Sequence, residues 1–271
     1  DALNKLLEAR TQLANLVTHM DGKPGAENLI AKVLNDPALH FRLAELGRDD
    51  KVLVSWNALT IKGMARAGRI LGRVEYLKSA ERALAFLRQS HWRDGRLLAT
   101  SRDGRAQLAA YLDDHAFLID ALLELLQARW SSADLAWLQE LAALLLERFQ
   151  DRDQGGFFFT ADDQETLIQR PKPLGDEATP AGNGVAAYVL QRLGYLLGET
   201  RYLDAAERTL KSAWRALEES PHGHVMLLIA LEEYLEPTET VVIRGDERDV
   251  REWQRSAARL YAPRRMVFAI D

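Results

Sequence analysis

The sequence predicts a mainly α-helical protein, an α/α toroid in which outer helices surround inner ones, and three observations lead to this fold class. The segment Gly72–Leu84 returns 126 residues later as Gly198–Leu210, with a weaker copy near Trp137 about halfway between. A repeat of roughly 62 residues is too long for a plain two-helix unit of about 34, so it indicates helical hairpins that carry an insert. Between Pro37 and Pro171 there is no proline, and Ala, Leu, Glu and Arg recur at helical spacing. Finally, helices that are apolar nearly all round alternate with helices that have one charged face.

The helices are expected in pairs, an inner helix followed by an outer one. Those beginning near residues 52, 112, 180 and 222 are the apolar, inner ones, and those near 75, 133 and 200 are the outer ones. The periodicity predicts helices over 2–19, 37–47, 52–71, 75–90, 112–129, 133–149, 180–197, 200–218 and 222–235.

Two inserts interrupt the helices and are predicted to form β-hairpins. Residues 95–105 and 155–165 each contain a strand pattern, an Asp-containing turn and a second strand pattern. The last 30 or so residues differ again, with apolar strands at 240–243 and 266–270 on either side of a helical stretch. This C-terminal pattern predicts a small strand-helix-strand unit with parallel strands.

Composition limits the class of protein. The chain has 271 residues, of which 47% are hydrophobic and 28% charged, so it can bury a large core. A net charge of −5 argues against nucleic acid, which requires clustered Lys and Arg. No apolar run reaches the eighteen or so residues of a membrane span, and the chain starts without a signal segment, so a cytoplasmic location without membrane contact is expected. The first residue is Asp1, which suggests a piece of a longer protein.

Three domains are predicted from these patterns. Residues 1–48 are expected to be N-terminal helices packing on the toroid, residues 49–236 the toroid, and residues 237–271 the small C-terminal unit.

Polar clusters precede each of the four inner helices. They lie at residues 49–51 (with Trp56 and Asn57 one turn further on), 113–115, 176–183 and 222–224. If the inner helices run parallel, the clusters converge at one end of the ring and form a pocket with an apolar floor and a polar rim. Helix N-termini at that rim would favour a hydroxylated or anionic ligand, such as a small sugar or metabolite.

Carboxylates are the candidate catalytic groups. Asp113 and Asp114 together with Asp176 could supply one acid with a raised pKa and one ionised base. The alternative is structural, because Asp50, Asp114 and Thr179 occupy positions typical of N-caps. In that interpretation Pro180 is the first residue of its helix.

Other polar and aromatic residues are predicted to bind the ligand. Trp56 could stack on a sugar face or belong to the core, and Asn57 and Asn183 need hydrogen-bond partners inside apolar helices. Arg170 and Lys172 could clamp an anion, or pair with Asp176 and Glu177. The full set of predicted binding residues is Asp50, Trp56, Asn57, His115, Phe158, Arg170, Lys172, Thr179, Asn183 and His224.

No metal or cofactor is expected. His222 and His224 flank a glycine, but the chain has six scattered histidines and no cysteine, so a metal site is disfavoured. The Gly245-Asp246 turn after a strand lacks the glycine-rich pattern of a nucleotide site, and we interpret it as structural.

Five ordered motifs resemble the helical part of the thioredoxin-domain-containing spermatogenesis-associated protein 20 family. The resemblance covers residue 49 to the C-terminus, and the motifs are residues 49–57, 112–117, 155–160, 170–172 and 178–183. Two positions depart from the family pattern, since His115 stands where tyrosine is usual and Ala181 where serine is usual.

This resemblance implies a six-hairpin toroid similar to N-acylglucosamine 2-epimerases and glycoside hydrolases. It also implies an upstream thioredoxin-like domain as a partner, which this chain lacks. Six hairpins need about twelve helices, whereas the patterns predict about nine, so the ring is expected to be open or closed by preceding sequence.

Three functions remain open at this point. The first is a sugar-modifying enzyme, an epimerase or isomerase before a glycosidase, with its acid and base at the inner helix starts. The second is a non-catalytic carbohydrate- or metabolite-binding module that serves the thioredoxin-like domain. The third is a structural platform whose polar clusters only cap helices. The analogy of fold is itself a weak argument for function.

Overall fold

Helical hairpins build most of the structure, a computed structural model that describes residues 51–164, 169–258 and 261–270. The predicted N-terminal helices, their packing on the toroid and the site residue Asp50 lie outside these residues. The helices are α1 (Val54–Leu71), α2 (Val74–His91), α3 (Leu112–Ala128), α4 (Ser132–Leu144, continued by a π-helical turn at Leu145–Phe149), α5 (Gly182–Leu197), α6 (Thr200–Glu219) and α7 (Val225–Leu235), which follows a 3₁₀ turn at Pro221–Gly223.

The helices form an inner row and an outer layer. In the inner row α1 packs on α3, α3 on α5 and α5 on α7, while α2, α4 and α6 each cover the inner helix that precedes them. Residues of α3 and α5 are buried on almost every side. In contrast, α1 and α7 bury one face and expose another. The predicted division into inner and outer helices is confirmed, but the helices at both ends of the row are not apolar all round.

Glycines shape the hairpins α1–α2 and α5–α6. Gly72 and Gly198 end the inner helices with positive φ values of 67° and 70°, a conformation that glycine adopts without strain. Four residues earlier, Gly68 and Gly194 leave room for a leucine of the following helix, since an added Cβ would lie only 2.7 Å and 2.6 Å from that leucine. The repeated sequence therefore encodes a tight, close-packed turn between two helices.

The first predicted β-hairpin is confirmed. Strands β3 (Arg96–Arg102) and β4 (Arg105–Ala109) pair antiparallel about the turn at Asp103 and Gly104, and β1 (Val52–Leu53) and β2 (Trp92–Arg93) pair with β3. The second predicted hairpin, 155–165, is wrong for its described residues 155–164, which form turns and bends. Phe157 makes one isolated bridge, with Gln150. The physical reason is that Asp151 and Asn183 bind the backbone of this insert and hold it in turns.

The C-terminal unit has the predicted topology. Strand β5 (Glu239–Arg244), helix α8 (Glu247–Ala258) and strand β6 (Arg265–Ile270) follow one another, and β5 and β6 pair in parallel. The unit rests on the inner row, because Phe268 packs edge-on against Trp130 and Gln254 donates a hydrogen bond to the Gln127 carbonyl. The domain boundary at residue 237 stays a prediction. Among the described helices, none combines the length and the apolar character that crossing a bilayer requires.

Candidate functional site

The starts of the four inner helices meet at one end of the row, and aspartates connect them. Asp114 of α3 accepts a hydrogen bond from the backbone N–H of Ser55 in the first turn of α1, at 2.9 Å. Asp113 of α3 accepts one from the N–H of Gly182 at the start of α5. Asp176 accepts one from the N–H of Met226 in the first turn of α7, at 2.8 Å. The first N–H groups of a helix have no partner within that helix. Each of these carboxylates accepts a hydrogen bond from one such N–H of a neighbouring helix.

Asp114 is the most deeply buried of these carboxyls. Only 4% of the residue is exposed, and Oδ2 accepts a second hydrogen bond from the Tyr111 N–H, at 2.9 Å. Burial raises the pKa of Asp114 to about 6, although the hydrogen bonds from Tyr111 and Ser55 act in the opposite direction. The N-cap of α3 is Tyr111, and Asp114 is the third residue of the helix, where its side chain binds the N-cap N–H. The predicted N-cap role of Asp114 is therefore wrong.

Asp113 differs because it is partly exposed. Burial and, next, the charge of Asp114 raise the pKa of Asp113 to about 6. Its Oδ1 is sealed from solvent and has no hydrogen-bond partner among the described residues. This oxygen leaves no space for a side chain at position 182, since a Cβ there would lie 2.1 Å away. The Asp113 residue is therefore partly exposed, while its unpartnered oxygen Oδ1 faces Gly182 and not solvent.

Asp176 holds the entry to α5 as well as to α7. Its Oδ1 accepts a hydrogen bond from the Ala181 N–H at 2.8 Å. Helix α5 begins at Gly182 with Ala181 as N-cap, so Thr179 is not the cap and Pro180 is not the first helical residue. Thr179 instead accepts a hydrogen bond at its carbonyl from the Glu177 N–H, within the loop that Asp176 organises.

The two asparagines have different roles. Asn183 is fully buried, and its side chain exchanges two hydrogen bonds with the Phe157 backbone and donates a third to the Pro173 carbonyl. Both of its amide hydrogens are used, so Asn183 fastens the insert to α5. Asn57 is half-buried and donates to the Leu53 carbonyl at the start of its own helix. Trp56 beside it is 63% exposed, which excludes the core role considered for this side chain.

His115 points away from the aspartates. Its ring is buried, stacks at a tilt on Phe149 and has Nδ1 3.0 Å from the Tyr111 carbonyl oxygen. Burial lowers the pKa of His115 to about 4, so the imidazole is neutral at physiological pH. His224 is the N-cap of α7, and its Nδ1 lies 2.7 Å from the Ser220 carbonyl oxygen.

Arg170 and Lys172 have partners that neither interpretation of the sequence foresaw. Lys172 binds the Asp151 carboxylate at 2.7 Å, and Arg170 donates to the backbone carbonyls of Arg148 and Thr160. The predicted pairing with Asp176 and Glu177 is wrong, because those residues lie in the loop that caps α5 and α7. Both cationic groups also lie over the ring of Phe158, at 4.2 Å and 5.4 Å from its centroid.

Two cavities open beside these residues, and neither is lined by Asp113, Asp114 or Asp176. The first, of about 230 Å³, lies between the β3–β4 hairpin, the start of α3 and the end of α4, and His115 lines it. The second, of about 710 Å³, is a surface depression lined by Phe158, Arg170 and the acidic turn that follows α4. Within the described ranges no group of three or more His, Cys, Asp or Glu side chains is arranged to hold a metal ion.

Some residues that shape this end of the molecule were missed from the sequence. Asp151 accepts hydrogen bonds from the N–H groups of Asp153 and Gln154, and the Gln154 hydrogen bond, followed by that of Lys172, lowers its pKa. Asp151 is followed closely by Asp153 and by the glycines at 155 and 156. Aspartates and glycines in such a cluster favour a turn, so this signal could have been recognised in the sequence. The role of Gly182 could not be read, because the carboxyl that it accommodates lies 69 residues earlier in the chain.

Comparisons with known proteins give two separate similarities. Residues 1–46 match the family model described as "Type VI secretion system, VipA, VC_A0107 or Hcp2". Over 44 residues the chain is 70% identical to type VI secretion system sheath protein TssB1 of Pseudomonas aeruginosa. These residues make up 16% of this chain and 26% of that protein. Over 261 residues it is 28% identical to spermatogenesis-associated protein 20 of Rattus norvegicus, covering 91% of this chain. The chain spans about a third (32%) of the length of that relative.

Solved structures share the fold at low sequence identity. The GH76 α-mannanase BT2949 of Bacteroides thetaiotaomicron has a TM-score of 0.55 at 12% identity, over 77% of this chain and 56% of that one. An inactive variant of the α-1,6-mannanase GH76A of Salegentibacter sp. HEL1_6, in complex with α-1,6-mannotriose, has a TM-score of 0.54 at 16% identity. This match covers 71% of this chain and 55% of that one. A D-mannose isomerase has a TM-score of 0.51 at 20% identity, over 60% of this chain and 42% of that one. The chain is thus a homologue of spermatogenesis-associated protein 20 with a six-hairpin glycosidase-like α/α toroid fold, as the sequence motifs predicted.

Proposed function

We propose that residues 51–271 act as a sugar-modifying domain of the epimerase or isomerase type, with its ligand site where α1, α3, α5 and α7 begin. The observation that carries this proposal is the carboxyl of Asp113. It is partly exposed at the start of α3 and has a pKa raised to about 6 by burial and by the charge of Asp114. A group with these properties exchanges a proton near neutral pH, as abstraction beside a carbonyl requires.

The surrounding residues then take positioning roles. Asp114 and Asp176 hold the starts of α1, α5 and α7 together through hydrogen bonds to backbone N–H groups. The partial positive charge of these helix ends favours a hydroxylated ligand and a developing oxyanion. Trp56 offers an exposed ring at the start of α1 on which an apolar sugar face could stack.

Two similar folds support a carbohydrate substrate. One is that of a D-mannose isomerase. The other belongs to the α-1,6-mannanase whose inactive variant has asparagine in place of two consecutive aspartates. This chain also has two consecutive aspartates, Asp113 and Asp114, at the start of an inner helix. We assign the chemistry to Asp113, because the oxygens of Asp114 are both used by helix N–H groups.

Deuterium exchange tests this proposal. The full chain is incubated with a panel of monosaccharides in D₂O, and incorporation at C2 is followed by NMR. Exchange should increase as the pH rises through about 6, because the base is the ionised form of Asp113.

Asp113→Asn should reduce the rate by roughly 100-fold or more, the usual contribution of a general base. Glu218→Gln, at an exposed position of α6, is the matched control and should leave the rate unchanged. Absence of exchange with every sugar between pH 5 and 8 would refute an enzymatic role.

A second candidate is a non-catalytic binding or structural module that works with an upstream thioredoxin-like domain. It is favoured by the use of Asp114, Asp176 and Asn183 as internal fasteners. A binding module predicts that a sugar of the same panel raises the melting temperature without exchange at C2. A purely structural platform predicts no shift with any sugar, together with loss of stability in Asp114→Ala.

A further inference from the structure

The smaller cavity lies apart from the proposed site. We name it the hairpin cavity; it is the space of about 230 Å³ beneath the β3–β4 hairpin. Three consecutive residues at the start of α3 point to different places. Asp113 and Asp114 contact the starts of α5 and α1, whereas His115 lines the hairpin cavity. Nothing in the proposed sugar chemistry uses His115, so its burial at this cavity needs its own explanation.

His115 presents a hydrogen-bond acceptor there. The neutral ring places its hydrogen on Nδ1, because that atom lies 3.0 Å from the Tyr111 carbonyl oxygen. Nε2 is then an acceptor, and the hydrogen bond of this ring within the described residues is made through Nδ1. The ring of Phe149 packs against the imidazole at 4.9 Å between centroids and contributes an apolar wall to the same cavity. One side of the cavity therefore combines a fixed acceptor with an aromatic surface.

The charges around the cavity balance. Arg96 and Arg148 contribute two positive groups, and Asp94 and Asp163 contribute two negative ones. Asp163 pairs with both guanidinium groups, directly with Arg96 and at 3.7 Å with Arg148. A charged ligand would meet a group of its own sign whichever sign it carried. In contrast, a hydroxyl can accept from arginine and donate to a carboxylate or to Nε2 of His115.

We propose that the hairpin cavity binds an uncharged, polyhydroxylated molecule no larger than one monosaccharide. The size limit follows from its volume, which is below the roughly 300–1,000 Å³ of sites for drug-sized ligands. The apolar wall suits the C–H face of a sugar ring, and the acceptor and the ion pair suit its hydroxyls. This site is separate from Asp113 and does not depend on the proposed reaction.

D-glucose is a suitable probe, with D-glucuronate as its charged counterpart of similar size. Binding to the full chain is measured by saturation-transfer NMR and calorimetry. Ala161→Leu fills the cavity and should weaken D-glucose binding by at least roughly tenfold, or 1.4 kcal/mol. D-glucuronate should bind more weakly than D-glucose. Ala85→Leu, at an exposed position of α2, is the control for the added leucine and should leave D-glucose binding unchanged.

A second pair of variants keeps the test decisive if Ala161→Leu does not fold. His115→Phe removes the acceptor, and His115→Gln retains an acceptor oxygen, so binding should be lost in the first and partly kept in the second. Equal binding in both, undiminished binding in a folded Ala161→Leu, or no binding of D-glucose to the unaltered chain would overturn the proposal. Exchange at C2 is measured separately, so failure of one proposal leaves the other to be judged on its own.

Discussion

The hairpins α1–α2 and α5–α6 are two copies of one design in different surroundings. Both inner helices end at a glycine with positive φ, and both place a second glycine against a leucine of the next helix. Helix α5 is flanked by α3 and α7 and is buried along Gly182–Gly194. Helix α1, at the end of the described row, buries only one stripe. The repeat thus fixes the turn, whereas the neighbours decide which side chains matter for stability.

Two further pairs of residues, also 126 positions apart, extend the comparison into the helices. Arg66 and Arg192 each bind a glutamate of the next inner helix, Glu124 and Glu233 respectively. In the same way Asn57 and Asn183 both lie in the first turn of an inner helix. The members of each pair differ in burial, so each pair is an internal control for the effect of surroundings.

Arginine replacement should give the largest difference between the copies. Arg192→Ala should lower the free energy of unfolding by about 3–5 kcal/mol, because it leaves Glu233 buried without its charge partner. The Arg192 side chain is 6% exposed and that of Arg66 is 46% exposed. Arg66→Ala should cost about 1 kcal/mol or less, since Glu124 keeps Arg69 at 2.6 Å. Urea unfolding of the full chain measures both, and equal losses would contradict the assigned difference in surroundings.

Asparagine replacement should give a smaller difference. Asn183→Ala removes three hydrogen bonds that fasten the insert and leaves the buried backbone N–H and C=O of Phe157 unpaired, so a loss of about 2–4 kcal/mol is expected. Asn57→Ala removes one bond within its own helix and should cost about 1 kcal/mol or less. Thermal and urea unfolding provide the measurement. A small loss in Asn183→Ala would mean that the insert does not depend on this side chain.

Local features of the fold could be predicted from the sequence, and contacts between distant segments could not. Helix positions follow from apolar periodicity and from the absence of proline, and the glycine that ends α1 returns at the end of α5. The second insert is predicted as a hairpin because an Asp-containing turn stands between two strand-like runs. Its conformation is decided instead by Asn183, which lies 26 residues after Phe157.

The candidate site shows the same limit. Convergence of the inner helix starts followed from the alternation of inner and outer helices, and the hydrogen bonds of Asp114 and Asp176 to neighbouring helices bear it out. Which carboxyl uses both oxygens on backbone N–H groups and which is partly exposed depends on side-chain directions over one turn of α3. His115 likewise faces the hairpin cavity and not the helix starts, and no pattern in the sequence distinguishes these two directions.

Glycine replacement should give the smallest difference, because the two copies share this contact. An added methyl group at Gly68 would lie 2.7 Å from Cγ of Leu77, and one at Gly194 would lie 2.6 Å from Cδ2 of Leu203. Each alanine variant should therefore lose about 1–3 kcal/mol of unfolding free energy through overpacking, by similar amounts. Gly63→Ala is the control in α1, where an added Cβ meets nothing within 4 Å, and it should stabilise the helix by up to about 1 kcal/mol. If Gly68→Ala also stabilises while Gly194→Ala destabilises, even the turn depends on its surroundings, and the repeat encodes less of the hairpin than the shared geometry indicates.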